Sequence, residues 1–228
     1  VRYNLYIIED AAQAIGAQYT FASGEMFQAG CMGTMGCTSF FPTKNLGAFG
    51  DGGAIFCKEP NLALRLKMIA NHGQKEKYVH EIIGVNSRLD TLQAAILNVQ
   101  LKHLPTAIAR KQQIAARYDA ALANTTGLSI PVRDTKSTHV FHQYTMKVAG
   151  GKRDSLKKHL EQAGIPAMIY YPVPLNEQEA YQAIGQVVGG LKVTNDLCES
   201  VLSIPMHTEL NDEQINFITH TILAFFES

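Results

Sequence analysis

The sequence predicts an α/β domain followed by a smaller α+β domain, and three observations carry that prediction. A short apolar run, Leu5 to Ile8, ends in Glu9-Asp10 and a string of small residues. That is the pattern of a buried parallel strand whose carboxylates emerge at its C-terminal edge. Helix-period stretches then alternate with further short strands up to about Ala123. Beyond the polar, turn-rich segment "NTTGLSIPVRDTKSTH", the alternation of "VFHQYTMKV" marks a strand set among helices. The division is therefore placed between 1–123 and 124–228.

Each element has its own local reason. "CTSFF" and "GGAIFC" read as two strands with the Lys44 loop between them. Pro60, suited to a first helical position, opens a helix with Leu62, Leu66 and Ile69 on one face. Asp90 is placed to cap a helix carrying Leu92, Ile96 and Val99, and Pro105 is read as the start of another long helix. "DSLKKHLEQAG" predicts a helix closed by Gly164, with Pro166 preventing its continuation. The prolines of "AMIYYPVPL" force an extended path. The last helix opens on a box-like Asn211 and Gln214, followed by Ile215, Ile218, Ile222 and Phe225 at helical spacing. There is no internal repeat and no low-complexity tract.

Composition excludes several function classes. Lys plus Arg equals Asp plus Glu at 20 each, so bulk charge does not steer the chain to nucleic acid or an acidic membrane. No stretch approaches the roughly 18 continuous apolar residues of a membrane span, and no charged-then-apolar leader opens the chain. Cys31, Cys37, Cys57 and Cys198 form neither a CxxC pair nor a zinc-like spacing with the eight histidines. They are expected as reduced, mostly buried thiols of a cytoplasmic protein. Val1 is followed within four residues by an apolar run, which suggests a piece of a longer protein.

Asp10 and Lys44 together point to chemistry. A carboxylate at a strand's C-terminal edge and a lysine on a nearby glycine-flanked loop are what pyridoxal 5'-phosphate demands. The amine bonds to the cofactor's aldehyde, for which a desolvated site near cationic charge supplies the neutral form. The carboxylate keeps the ring nitrogen protonated so that the ring accepts electrons. Ser39, five residues before Lys44, can offer its hydroxyl to a phosphate oxygen. Each signal has a plainer reading: an Asp after a strand as a helix cap, a lysine near glycines as a solvated surface residue. The glycine spacing matches neither nucleotide-binding fingerprint.

"EDAAQAIGA", "GCTSFFPTKNLGAFGDGGAIF", "NHG", "GVNSRLDTLQAAIL" and "YYPVPLNEQEAY" together resemble the DegT/DnrJ-type sugar aminotransferases. The resemblance runs in order from Ile7 to the C-terminus and covers about the last two thirds of such an enzyme. It implies a fold-type I pyridoxal-phosphate transferase lacking the N-terminal part of its large domain. It makes Asp10 the partner of the pyridine nitrogen, Gln13 the neighbour of the ring hydroxyl, Ser39 a phosphate ligand and Lys44 the catalytic, cofactor-anchoring lysine. Asn86 matches an asparagine that reaches across a homodimer interface to the neighbour's phosphate. Arg88 follows as a substrate contact, with an Asp90 ion pair as its plainer role. His72 and Tyr171 match as weaker substrate contacts, against a helix end and packing respectively. His142 is read as structural.

The resemblance also implies a reaction. Related sugar dehydratases carry a histidine at the lysine's place, so Lys44 favours transamination from an amino acid, glutamate, to a nucleotide-linked keto-sugar. The motifs look most like members acting on a UDP-linked 3-keto uronic acid in lipopolysaccharide assembly, while others aminate TDP-linked keto-hexoses. Such enzymes carry, ahead of the strand ending at Asp10, a glycine/serine helix start and a cofactor-stacking aromatic ring that this sequence does not contain. The isolated chain is therefore expected to show little or no turnover. A non-catalytic dimerising module and a carbon–sulfur lyase of the same fold are the alternatives.

Overall fold

The structure is a computed structural model that describes residues 3–227. Its contacts group the chain into two compact units. One is formed by the chain up to Ala109 together with Arg133–His142, the other by Arg110–Val132 and the chain from Gln143 onward.

The first unit contains β1 (Ile8–Asp10), β2 (Gln18–Thr20), β3 (Met26–Gln28), β4 (Met35–Ser39), β5 (Gly53–Cys57), α1 (Pro60–Ala70), β6 (Gln74–Glu76) and β7 (Val79–His80). It also holds the first part of α2 (Thr91–Leu122). A three-stranded sheet has the order β1-β4-β5, with β1 parallel and β5 antiparallel to β4. Two hairpins, β2–β3 and β6–β7, stand apart from it. The strand expected at Leu5–Ile8 begins only at Ile8, and Leu5 and Ile8 are 73% and 63% exposed. The reason is that β1 has one neighbouring strand among the described residues, so nothing pairs or covers its outer side. Phe40, Leu46, Ala48, Leu97 and Leu104 form this unit's core.

Helix α1 starts at Pro60 as expected, and its cap is Glu59, whose carboxylate accepts the Asn61 and Leu62 N–H groups. Pro105, by contrast, does not begin a helix: it lies inside the single 32-residue α2. The residue costs a backbone hydrogen bond. The helix passes through because buried side chains anchor both flanks, Leu97 and Leu104 before it and Ile114, Tyr118 and Leu122 after it.

The second unit takes the rest of α2 and adds β8 (Leu128–Ser129), β9 (Tyr144–Val148), α3 (Arg153–Gln162), α4 (Lys192–Ser200), β10 (Val201–Ile204) and α5 (Asp212–Glu227). Its antiparallel sheet has the order β10-β9-β8. The strand expected over "VFHQYTMKV" is confined to Tyr144–Val148, because Phe141 takes a left-handed backbone (φ 46°) and turns Val140–Gln143 away. Gly164, at φ 74°, ends α3 as its sequence required. At α5, Asn211 N–H donates to Gln214 Oε1 and Gln214 N–H to Asn211 Oδ1, a reciprocal capping box. The four cysteines carry free thiols and are half-buried, not mostly buried as expected.

Candidate active site

The parallel pairing of β1 with β4 sets the site's geometry. Asp10 is in register with Cys37, and side chains alternate along a strand, so Asp10, Cys37 and Ser39 lie on one face of the sheet. The Ala11 N–H donates to Cys37 O at 2.8 Å, extending the ladder to the strand's end. Asp10 is exposed, and its Oδ1 accepts the Ala12 N–H at 3.1 Å. Gln13, also exposed, follows in the turn. Ser39 is half-buried opposite Gly53 of β5, and its Oγ accepts the Phe41 N–H at 3.2 Å.

Five residues past Ser39, Lys44 sits half-buried in a loop pinned on both sides. The Lys44 N–H donates to Phe41 O and the Ala48 N–H to Phe40 O, each at 2.8 Å. Asn45 Nδ2 donates to Val140 O, and Phe40, Leu46 and Ala48 are sunk in the core. Gly47 permits the tight path, since a Cβ there would lie 2.5 Å from Pro42 O. Among the described residues the Lys44 ammonium has no ion-pair partner.

The remaining candidates are placed as follows. Asn86 bridges Asn71 in a short antiparallel contact, and its Oδ1 accepts from Arg88 Nε at 3.2 Å. The two residues thus share a side, and the guanidinium turns to Asn86, not to Asp90 as the plainer reading had it. His72 is exposed just past α1 in a left-handed conformation (φ 59°), with its carbonyl 2.8 Å from His80 Nδ1. Tyr171 belongs to the second unit, where it lines a cavity of about 440 Å³ with Tyr170, Val173, Leu175 and Leu197.

Glu9 departs from the sequence reading. Grouped there with Asp10 at a ligand-binding edge, it points to the sheet's other face. Its carboxylate accepts the N–H groups of Gly30 (2.8 Å), Met32 (2.6 Å) and Gly33 (2.5 Å). Burial pushes its carboxyl upward, but the N–H groups of Gly33, Gly30 and Met32 and the Lys58 charge outweigh that and hold it below the usual glutamate range. The alternation that separates it from Asp10 was visible in the sequence. The turn at Gly30–Gly33 that claims it was not.

Concavity and chemistry do not coincide. A cavity of about 770 Å³ between α1 and the sheet is lined by Cys37, Asp51, Lys67 and Arg88, but not by Asp10, Ser39 or Lys44. A smaller one of about 240 Å³ includes Gln13. Asp10 and Ser39 lie at the carboxyl ends of β1 and β4, where ligands of parallel sheets gather whatever the size of neighbouring cavities. An acid and a hydroxyl on one face, with a lysine on the anchored loop that follows, form a donor set that fits pyridoxal phosphate.

Comparison with known proteins bears on the family. Residues 1–223 match the model of the DegT/DnrJ/EryC1/StrS aminotransferase family. The chain is 42% identical over 227 residues to a "Pleiotropic regulatory protein" of Geobacillus stearothermophilus, covering 99% of this chain and 59% of that protein. It is 41% identical over 218 residues to the UDP-2-acetamido-2-deoxy-3-oxo-D-glucuronate aminotransferase of Pseudomonas aeruginosa, covering 95% and 57%. Among solved structures, S. venezuelae DesV in complex with a ketimine intermediate superposes with a TM-score of 0.91 at 38% identity, over 100% of this chain and 59% of that one. The chain therefore spans under two thirds of the length of these relatives. A fold that superposes throughout and a family match over nearly every residue lead to one conclusion: this chain belongs to the DegT/DnrJ/EryC1/StrS aminotransferase family.

Proposed function

We propose that the chain is the lysine-bearing part of a pyridoxal-phosphate aminotransferase that passes an amino group, from glutamate, to a nucleotide-linked keto-sugar. The observation that carries this reading is the shared face of Asp10 and Ser39, followed five residues past Ser39 by the anchored Lys44 loop. When bound, the cofactor supplies a reactive aldehyde and an electron-accepting ring. Asp10 would hold the proton on the ring nitrogen, Gln13 would flank the ring hydroxyl, and Ser39 would donate to the phosphate. Lys44 would hold the cofactor and then move a proton at the donor's α-carbon. Asn86 would reach the phosphate site of a second copy in a homodimer, and Arg88, His72 and Tyr171 would contact substrate.

The P. aeruginosa relative supports a UDP-linked 3-keto hexose or hexuronate as acceptor; the same reading puts the reaction in the cytoplasm, in lipopolysaccharide or other surface polysaccharide assembly. Within this reading 1–123 is the cofactor-binding portion and 124–228 the small domain. The test is borohydride reduction of the chain with pyridoxal phosphate, followed by peptide mass mapping. Modification concentrated at Lys44 and lost in Lys44→Ala supports the reading; labelling spread evenly over surface lysines overturns it. Turnover of glutamate plus a UDP-3-keto sugar by the 228-residue chain is expected to be little or none, and full turnover would show that these residues alone suffice.

The exposed apolar positions of α2, Leu92 and Val99 at 70% and 59%, favour a second reading, a dimerising module without catalysis. A dimer that takes up no cofactor in the same experiment is its signature.

A further inference from the structure

We propose that Glu9 is a positioning residue, a register pin that keeps Asp10 on the face it shares with Ser39; the proposal rests on the role given to Asp10 above. The need for a pin follows from the strand itself. β1 has three residues and, among the described residues, pairs with β4 through Ile8–Asp10 against Met35–Cys37. Side chains alternate with period two, so a slip of one residue would carry Asp10 to the opposite face. Backbone hydrogen bonds are alike for every residue type, so a side-chain contact is what singles out one alignment.

Glu9 supplies such a contact. Its carboxylate is held by three converging backbone N–H groups from Gly30, Met32 and Gly33, a cradle of the kind that binds anions. A slipped strand would pull that carboxylate out of the cradle and leave the N–H groups without it. The cradle is in turn fixed to β4. A Cβ on Gly36 would lie 2.0 Å from Gly30 O, so the turn lies directly against the neighbouring strand. The Thr34 N–H donates to Ile7 O at 2.8 Å, and Ile7 N–H donates to Thr34 Oγ1 at 3.1 Å, just upstream. Glu9 thus ties β1 to a reference point on its partner strand, from the face opposite Asp10.

Amide hydrogen exchange on the 228-residue chain tests this without cofactor. Glu9→Gln keeps the side chain's size but replaces one acceptor oxygen with a donor. Exchange is expected to rise about tenfold or more at Gly30, Met32 and Gly33 and also at Ala11, whose N–H reads the β1–β4 register through Cys37 O. Tyr144 and Met146, in the other sheet, should keep their parent rates. Faster exchange at 30–33 with Ala11 unchanged would reduce Glu9 to a turn anchor and overturn the proposal. So would Ala11 accelerating only in step with Tyr144 and Met146. If Glu9→Gln does not fold, Glu9→Asp, one methylene too short for the cradle, is read the same way.

A second arm measures reductive trapping of pyridoxal phosphate at Lys44. Glu9→Gln should lower the trapped fraction as Asp10→Asn does, and the double variant should fall no further, because the pin acts through Asp10. Additive losses, or trapping in Glu9→Gln equal to the parent's while Asp10→Asn is reduced, overturn it. A parent chain with no trapping at Lys44 would instead count against the cofactor reading, and the exchange pattern would still decide the pin.

Discussion

The two compact units differ in how completely they bury themselves. In the second, Tyr144, Met146, Leu156, Leu160, Leu202 and Ile222 are all fully buried. The tyrosine hydroxyls are spoken for, Tyr118 donating to Pro205 O and Tyr144 to Asp119 Oδ1. In the first, the cluster of Phe40, Leu46, Ala48, Leu97 and Leu104 accompanies a sheet whose apolar side chains Ile8 and Ile55 remain 63% and 51% exposed. The better-packed unit carries one expected site residue, Tyr171, and the barer unit carries the others. The tighter packing and most of the expected site residues thus fall in different units.

That contrast can be broken by substitution. Leu202→Ala, at a site with no room to relax, should cost about 2–5 kcal/mol and lower the unfolding midpoint steeply in calorimetry. A loss below about 1 kcal/mol would mean the second unit is looser than its burial implies. Asn211→Ala removes one half of the α5 capping box and should cost about 1 kcal/mol, with Asn211→Asp recovering most of it.

A pH scan sharpens the picture of the first unit. Burial, and next the Arg133 charge, hold His139 below its ordinary pKa of 6.5, and its Nδ1 accepts the Phe141 N–H at 2.9 Å. The unfolded chain therefore binds this proton more readily, so stability from His139 is present above pH 6.5 and falls as pH drops toward the folded value. His139→Gln should flatten the denaturation midpoint over that window; an unchanged slope would remove His139 as its source. The smallest effect belongs to Ile55→Ala, expected within about 0.5 kcal/mol because that side chain is already half in water. A loss above 1 kcal/mol would reveal that another surface covers the sheet in solution.

Local punctuation was legible in the sequence. Pro60, Gly164 and the Asn211–Gln214 box act through neighbours three or four residues away, and the structure uses them as read. Pro105 misled for the opposite reason: its helix is held by side chains far along the chain, which no local rule weighs. Equally invisible was the return of Arg133–His142 to the first unit, where Thr20 N–H donates to Lys136 O and Thr138 N–H to Gln18 O. At the candidate site, Asp10, Ser39 and Lys44 were singled out by residue type and spacing. Glu9's separate task was hidden because its partners lie more than twenty residues downstream.

The loop around Lys44 is fastened by interior packing at Phe40, Leu46 and Ala48. The entropy of ordering that segment is thus settled during folding, and a reacting molecule would not have to supply it from its own binding energy. An aldehyde arriving there would meet a lysine whose backbone is already held in place, leaving only its side chain to find the reacting position.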